Sequence, residues 1–222
     1  MRKIFRENGL TIVMVLFLGL FLMGQIVAGM LEYNEDRRNH GQPEVDVVSY
    51  LGTPHFVEAT TENWESEFLQ MFAFVILTAS LYQKGSAESR DPDKDEPVDK
   101  HPTGSRARKD APWPVRKGGI ALRLYENSLS LAFLFLFLLS FMLHAVSGAR
   151  EYNQDQLGHG KAEQVTAIEY LGTSRFWFES FQNWQSEFLA VAAMVAFSIF
   201  LRQKGSPESK PVDAPHNKTG SD

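Results

Sequence analysis

The chain has 222 residues, a formal charge of -5 at neutral pH and no cysteine, which excludes disulfides, thiolate metal sites and thiol nucleophiles. Its mean hydropathy of -0.22 matches a soluble protein, but the average conceals two charge-free stretches, residues 8–31 and 127–149. Basic residues outside these stretches are interleaved with acids, which excludes a nucleic-acid surface.

The first predicted element follows Arg2, Lys3 and Arg6 and spans about 9–30. It exceeds the roughly 20 apolar residues that cross a ~30 Å hydrocarbon layer. Its basic start imitates a secretory signal, but the run is longer than a signal core and has a counterpart in mid-chain, so it reads as an uncleaved anchor. In the loop 31–64, Glu32, Asp36 and His40 fall at i, i+4 and i+8, a set that drifts only about 80° around a helix. Gly41 and Pro43 then mark a helix end, so the first helix is expected to project beyond the membrane. Thr53-Pro54 reads as an N-cap with proline at the first helical position.

A second span is predicted at 65–83, announced by Asn63-Trp64 and closed by Gln83-Lys84-Gly85. Its apolar part, about 15 residues or ~23 Å, becomes long enough only with one more turn at the tryptophan end. Residues 85–118, rich in Pro, Gly and mixed charge, read as a flexible cytoplasmic linker. Two further spans are predicted at 127–149 and 185–202, joined by an outer loop 150–184, with a disordered tail over 205–222.

The second half repeats the first. Gly29 and Glu32-Tyr33-Asn34-x-Asp36-x-x-x-His40-Gly41 recur as Gly148 and Glu151-Tyr152-Asn153-x-Asp155-x-x-x-His159-Gly160, offset by 119. Leu51-Gly52-Thr53, Asn63-Trp64-x-Ser66-Glu67-Phe68-Leu69 and Gln83-Lys84-Gly85-Ser86-x-Glu88-Ser89 recur at an offset of 120. The predicted fold is therefore all-α: repeats 1–84 and 119–204, each a two-helix membrane hairpin with a helical outer extension, related by a pseudo-two-fold axis along the membrane normal. Of the 22 basic residues, 17 fall in the N-terminal tail, linker and C-terminal tail, which places both termini in the cytoplasm. The outer loops hold 15 of the 27 acids against 5 basic residues. Such a surface concentrates cations, or simply keeps the loops solvated.

The stripe Glu32, Asp36, His40 with its copy Glu151, Asp155, His159 is the candidate metal site, carrying carboxylate and imidazole ligands suited to a divalent cation. The same residues at the same spacing also suit helix-to-helix pairing or plain solvation. Glu67 and Glu187 lie beside the apolar runs, where depth decides between an intramembrane role and a headgroup one. Gln25 and His144 occupy aligned positions in the first and third spans and suit hydrogen bonding between helices; a proton relay is the alternative. No arrangement of catalytic residues stands out.

These blocks, with Tyr50-Leu51-Gly52-Thr53 and the linker's Ala111-Pro112-Trp113-Pro114-Val115-Arg116, resemble a family of uncharacterised bacterial four-helix membrane proteins, a domain of unknown function. The resemblance covers nearly the whole chain and implies a bacterial cell membrane. It implies no activity, ligand or catalytic residue. The expectation is a non-enzymatic scaffold or accessory protein, partnered by the bilayer and by a second copy or another membrane protein. The alternative is a small cation transporter or sensor, and a membrane metalloenzyme ranks third.

Overall fold

The computed structural model describes residues 2–94, 98, 101–102, 108–158 and 164–220. Among them there is no strand, and the α-helices are α1 (Arg2–Asn39), α2 (Val47–Leu51), α3 (Pro54–Ser80), α4 (Trp113–Lys117), α5 (Gly119–Glu126), α6 (Ser128–Gly158), α7 (Ala167–Tyr170) and α8 (Ser174–Phe200). The all-helical class follows from unbroken runs of Leu, Met, Ala and Phe with no internal proline in the long helices. In α1 the backbone kinks at Asn8, whose side-chain amide turns back to the Ile4 carbonyl at 3.2 Å.

Two helices, α1 over Lys3–Asn39 and α6, are long and apolar enough to cross a membrane. The expectation of four spans is met at two places by this measure. Both α3 and α8 reach 27 residues, but polar and charged groups crowd their first halves and shorten the apolar part. In α1, large apolar side chains such as Leu10, Phe17 and Phe21 are exposed.

The chain divides into two compact units: Met1–Thr61 with Met142–Phe176, and Glu62–Phe141 with Trp177–Asp222. In the first, both sequence copies build the same corner. The Asn34 side chain closes a pair of bonds with Val45, accepting from its N–H at 2.8 Å and donating to its carbonyl at 2.9 Å. Asn153 does the same with Val165 at the same two distances. Asp46 then caps α2 by accepting from the Ser49 N–H, and Thr166 caps α7 in a capping box with Glu169.

Each cap delivers a tyrosine, Tyr50 or Tyr170, into a fully buried position. A glycine on the neighbouring long helix makes room: a Cβ on Gly29 would sit 2.2 Å from the Tyr50 hydroxyl, and one on Gly148 would sit 2.5 Å from Tyr170 Cε1. Thr53 and Thr173 complete the corner, each donating to its tyrosine's carbonyl at 2.7 Å and accepting from an N–H in the first turn of α3 or α8 at 3.3 Å. Glycine, asparagine, tyrosine and threonine recur in the sequence because one corner needs all four.

In the second unit, Ala111, Val115 and Leu122 pack α4 against α5 across Gly118 and Gly119, both at positive φ. Within the region 85–118, expected to be a flexible linker, residues 113–117 are helical, and 95–97, 99–100 and 103–107 lie outside the described residues. The tail expected to be disordered forms successive turns over 203–220, tied to the turn after α3. Lys210 is buried there, its ammonium donating to the carbonyls of Gly85 (2.5 Å), His216 (2.9 Å), Lys218 (2.9 Å) and, at longer range, Pro215 (3.3 Å). Thr219 Oγ1 accepts from the Gly85 N–H at 2.9 Å, and the Ser198 hydroxyl bonds that of Ser86 at 2.8 Å.

Candidate functional site

The charged stripe lies in the first unit, on the last turns of α1 and α6. His40 pairs with Asp36 one turn back, Nδ1 to Oδ1 at 3.3 Å, and the same nitrogen lies 2.9 Å from the Asp36 carbonyl. Glu32 pairs across to α3, its Oε2 3.1 Å from His55 Nε2. The other nitrogen of His55 meets the Tyr50 hydroxyl at 3.2 Å, so Glu32, His55 and Tyr50 form one chain of contacts beneath Tyr33. In the second copy Arg175 stands where the first has His55, and it donates to Asp155 Oδ2 at 2.9 Å while its guanidinium lies over the Tyr152 ring. His159 lies outside the described residues.

Asp36 and His40 of the first copy meet Glu151 and Asp155 of the second across a groove of about 390 Å³, with Tyr33 and Arg37 on its wall. The groove carries both signs of charge. Glu151, beyond the charge-free part of α6, is half-buried, and its Oε2 is buried with no hydrogen bond among the described residues. Burial pushes its carboxyl above the usual carboxylate range, outweighing the pull of His55 and Arg175, and Asp155 and Asp36 push the same way. Burial, with Glu32, Glu151 and Tyr33 nearby, pushes the Tyr50 phenol up to about 12. Among the described residues, no three donors of the stripe gather within 4.8 Å of one another. Glu32 and Asp36 instead each meet a histidine of the chain, and Asp155 an arginine.

The remaining sequence candidates lie elsewhere. Gln25 donates to Thr60 Oγ1 at 3.1 Å, a helix-to-helix hydrogen bond. His144 is fully buried and stacks on Phe176, ring centroids 4.7 Å apart. A ligating nitrogen of His144 lies within 4.8 Å of a carboxylate oxygen of Glu58, which is itself buried. In the second unit Glu67 is exposed and Glu187 intermediate. The acid drawn inward is Glu65, fully buried, which accepts from Trp184 Nε1 at 3.1 Å; Glu62 accepts from the Asn183 amide nearby.

Sequence reasoning thus missed His55, Arg175, Glu58 and Glu65. A basic residue two places after the threonine cap in both copies was the available signal for His55 and Arg175. Glu65 has no such signal, since its second-copy counterpart is Gln185.

An all-helical chain with two membrane-length apolar helices and paired polar corners is the class that fold and site define. The chain belongs to the family described as domain of unknown function DUF6766, whose model matches residues 1–221. No curated protein and no solved structure matches it.

Proposed function

We propose that this is a multi-pass membrane protein with four spans, both termini cytoplasmic, that acts without catalysis as a scaffold or accessory protein through its outer helical layer. The observation that carries the reading is how the stripe is used. Glu32 of α1 meets His55 of α3, Asp155 of α6 meets Arg175 of α8, and Asp36 meets His40 one turn on, so these acids face partners within the chain instead of converging on one ligand. Around this layer, Val48 of α2 and Ile168 of α7 sit at aligned positions and are 79% and 82% exposed. Exposed apolar tips held on rigid capped turns suit contact with another membrane protein or a second copy.

A photo-crosslinking amino acid at Val48 or Ile168 in cells is expected to capture a discrete partner, and native nanodiscs are expected to show an assembly larger than one chain. Only monomers in the discs and no adduct in cells would overturn the reading.

Cation handling is the second reading, and Glu151 favours it, because a half-buried carboxylate beside Asp155 and Asp36 is the arrangement a bound cation would relieve. Elemental analysis of the wild type beside E151Q and a His40→Ala/His159→Ala variant separates the two. A near-stoichiometric metal lost in the variants would establish this reading, and metal-free folded protein would remove it.

A further inference from the structure

We infer that residues 111–126, the α4–α5 hairpin, form a lipid-surface module that seats on anionic headgroups beside the start of α6. The inference rests on the membrane reading of α6. The hairpin is apolar on two sides. Leu122 turns inward on Val115 and Ala111, which satisfies one face. On the other, Ile120 and Leu124 lie one turn apart and are 76% and 57% exposed, with Trp113 58% exposed and Tyr125 beside them. An eight-residue helix that presents Ile and Leu on the face opposite its own core needs an apolar medium on that face.

Charge and continuity select the occupant. Arg116, Lys117 and Arg123 flank the exposed apolar face, and the Lys117 ammonium lies 4.7 Å from the Trp113 ring centroid. Long basic side chains that cover apolar rings while their heads reach phosphate depth are the usual complement of an anionic leaflet, and tryptophan prefers that same depth. The hairpin also runs directly into α6: Asn127 breaks the helix, its amide donating to the Arg123 carbonyl at 2.8 Å, and α6 begins at Ser128. The exposed face of α5 is thereby continuous in sequence with one of the two membrane-length apolar runs. The cytoplasmic side predicted for this segment is where anionic lipid is encountered. Gly118 at φ +68 and Gly119 at φ +61 let the chain fold back between the two short helices, which a flexible linker would not require.

The absence of cysteine makes the test clean, because any introduced thiol is unique. Full-length protein carrying a nitroxide at Ile120→Cys, Leu124→Cys, Glu126→Cys or Phe135→Cys is reconstituted in phosphatidylcholine vesicles with and without phosphatidylglycerol. Collision rates with oxygen and with a water-soluble nickel chelate are then read.

With phosphatidylglycerol, labels at 120 and 124 are expected to collide with oxygen in preference to nickel, the label at 126 to favour nickel, and the label at 135 to read deep lipid. The neutralising substitutions R116Q, K117Q and R123Q are each expected to lower the ratio of lipid-seated to unseated hairpin by about fivefold. Nickel access at 120 and 124 equal to that at 126, with 135 still in lipid, overturns the inference and leaves the membrane reading standing. Nickel access at 135 overturns both. Labels at 120 and 124 shielded from both reagents place a protein surface over the hairpin, which also overturns it.

Discussion

Two pairs of small and large residues decide the corners. At Gly29 the atom in the way of a Cβ is the Tyr50 hydroxyl, whereas at Gly148 it is the Tyr170 ring. Alanine at either glycine is expected to lower stability by about 1–3 kcal/mol through overpacking, measured as the loss in thermal midpoint of the detergent-solubilised protein. The two differ in rescue. Tyr50→Phe should recover much of the loss from Gly29→Ala, while Tyr170→Phe should recover little from Gly148→Ala; equal rescue at both sites would contradict the packing described. Glu151 gives a pH test. Its carboxyl is raised in the folded protein, so its favourable contribution exists below the ordinary carboxylate value near 4.5 and is lost as pH rises through the raised one. Glu151→Gln should therefore melt higher than wild type at pH 8, and the advantage should shrink on acidification towards pH 4.5. A lower midpoint at pH 8 would show that a partner of the ionised form outweighs burial.

Among the elements, the strap formed by the turn after α3 and the C-terminal segment depends on one cation. Burial and the neighbouring Arg202 and Lys218 pull the Lys210 ammonium below the usual lysine value, yet the ring of carbonyls around it would lose its donor if that charge were removed. Lys210→Met keeps the stem and deletes the donor. It is expected to cost about 1–3 kcal/mol and to abolish amide-exchange protection at Gly85 and over 215–220, with the Asn34 and Asn153 corners unchanged. Protection retained over 215–220 would mean that Thr219 and Ser198 suffice to hold the segment. Gly85 has no substitute here, since its φ is +85 and a Cβ would lie 2.5 Å from the His216 carbonyl.

For the whole molecule the decisive prediction is topology. Single cysteines at Val48 and Ile168 should react in intact cells with a membrane-impermeant maleimide, and cysteines at Ile4, Val98 and Val212 should react only after lysis. These five positions are exposed, so a failure to label reports the membrane and not burial. Reaction of Val48 but not Ile168 would leave one hairpin inserted and the other not, contradicting two like-oriented repeats.

The amino-acid sequence by itself determines the helical class, the two membrane-length apolar runs and the repetition of Gly29, Asn34, Tyr50 and Thr53 as Gly148, Asn153, Tyr170 and Thr173, because hydropathy, periodicity and repetition are local properties of a chain; that these four meet in one corner is decided by the tertiary structure. The sequence marks Glu32, Asp36, His40, Glu151, Asp155 and His159 as a set, since their spacing is regular. Only the tertiary structure decides that His55 and Arg175 answer those acids, that Glu65 and not Glu67 turns inward, and that Lys210 donates to the Gly85 carbonyl 125 residues away. Those outcomes rest on which distant segments meet, and a buried charge is tolerated only where the partner it meets can accept or supply its hydrogen bonds.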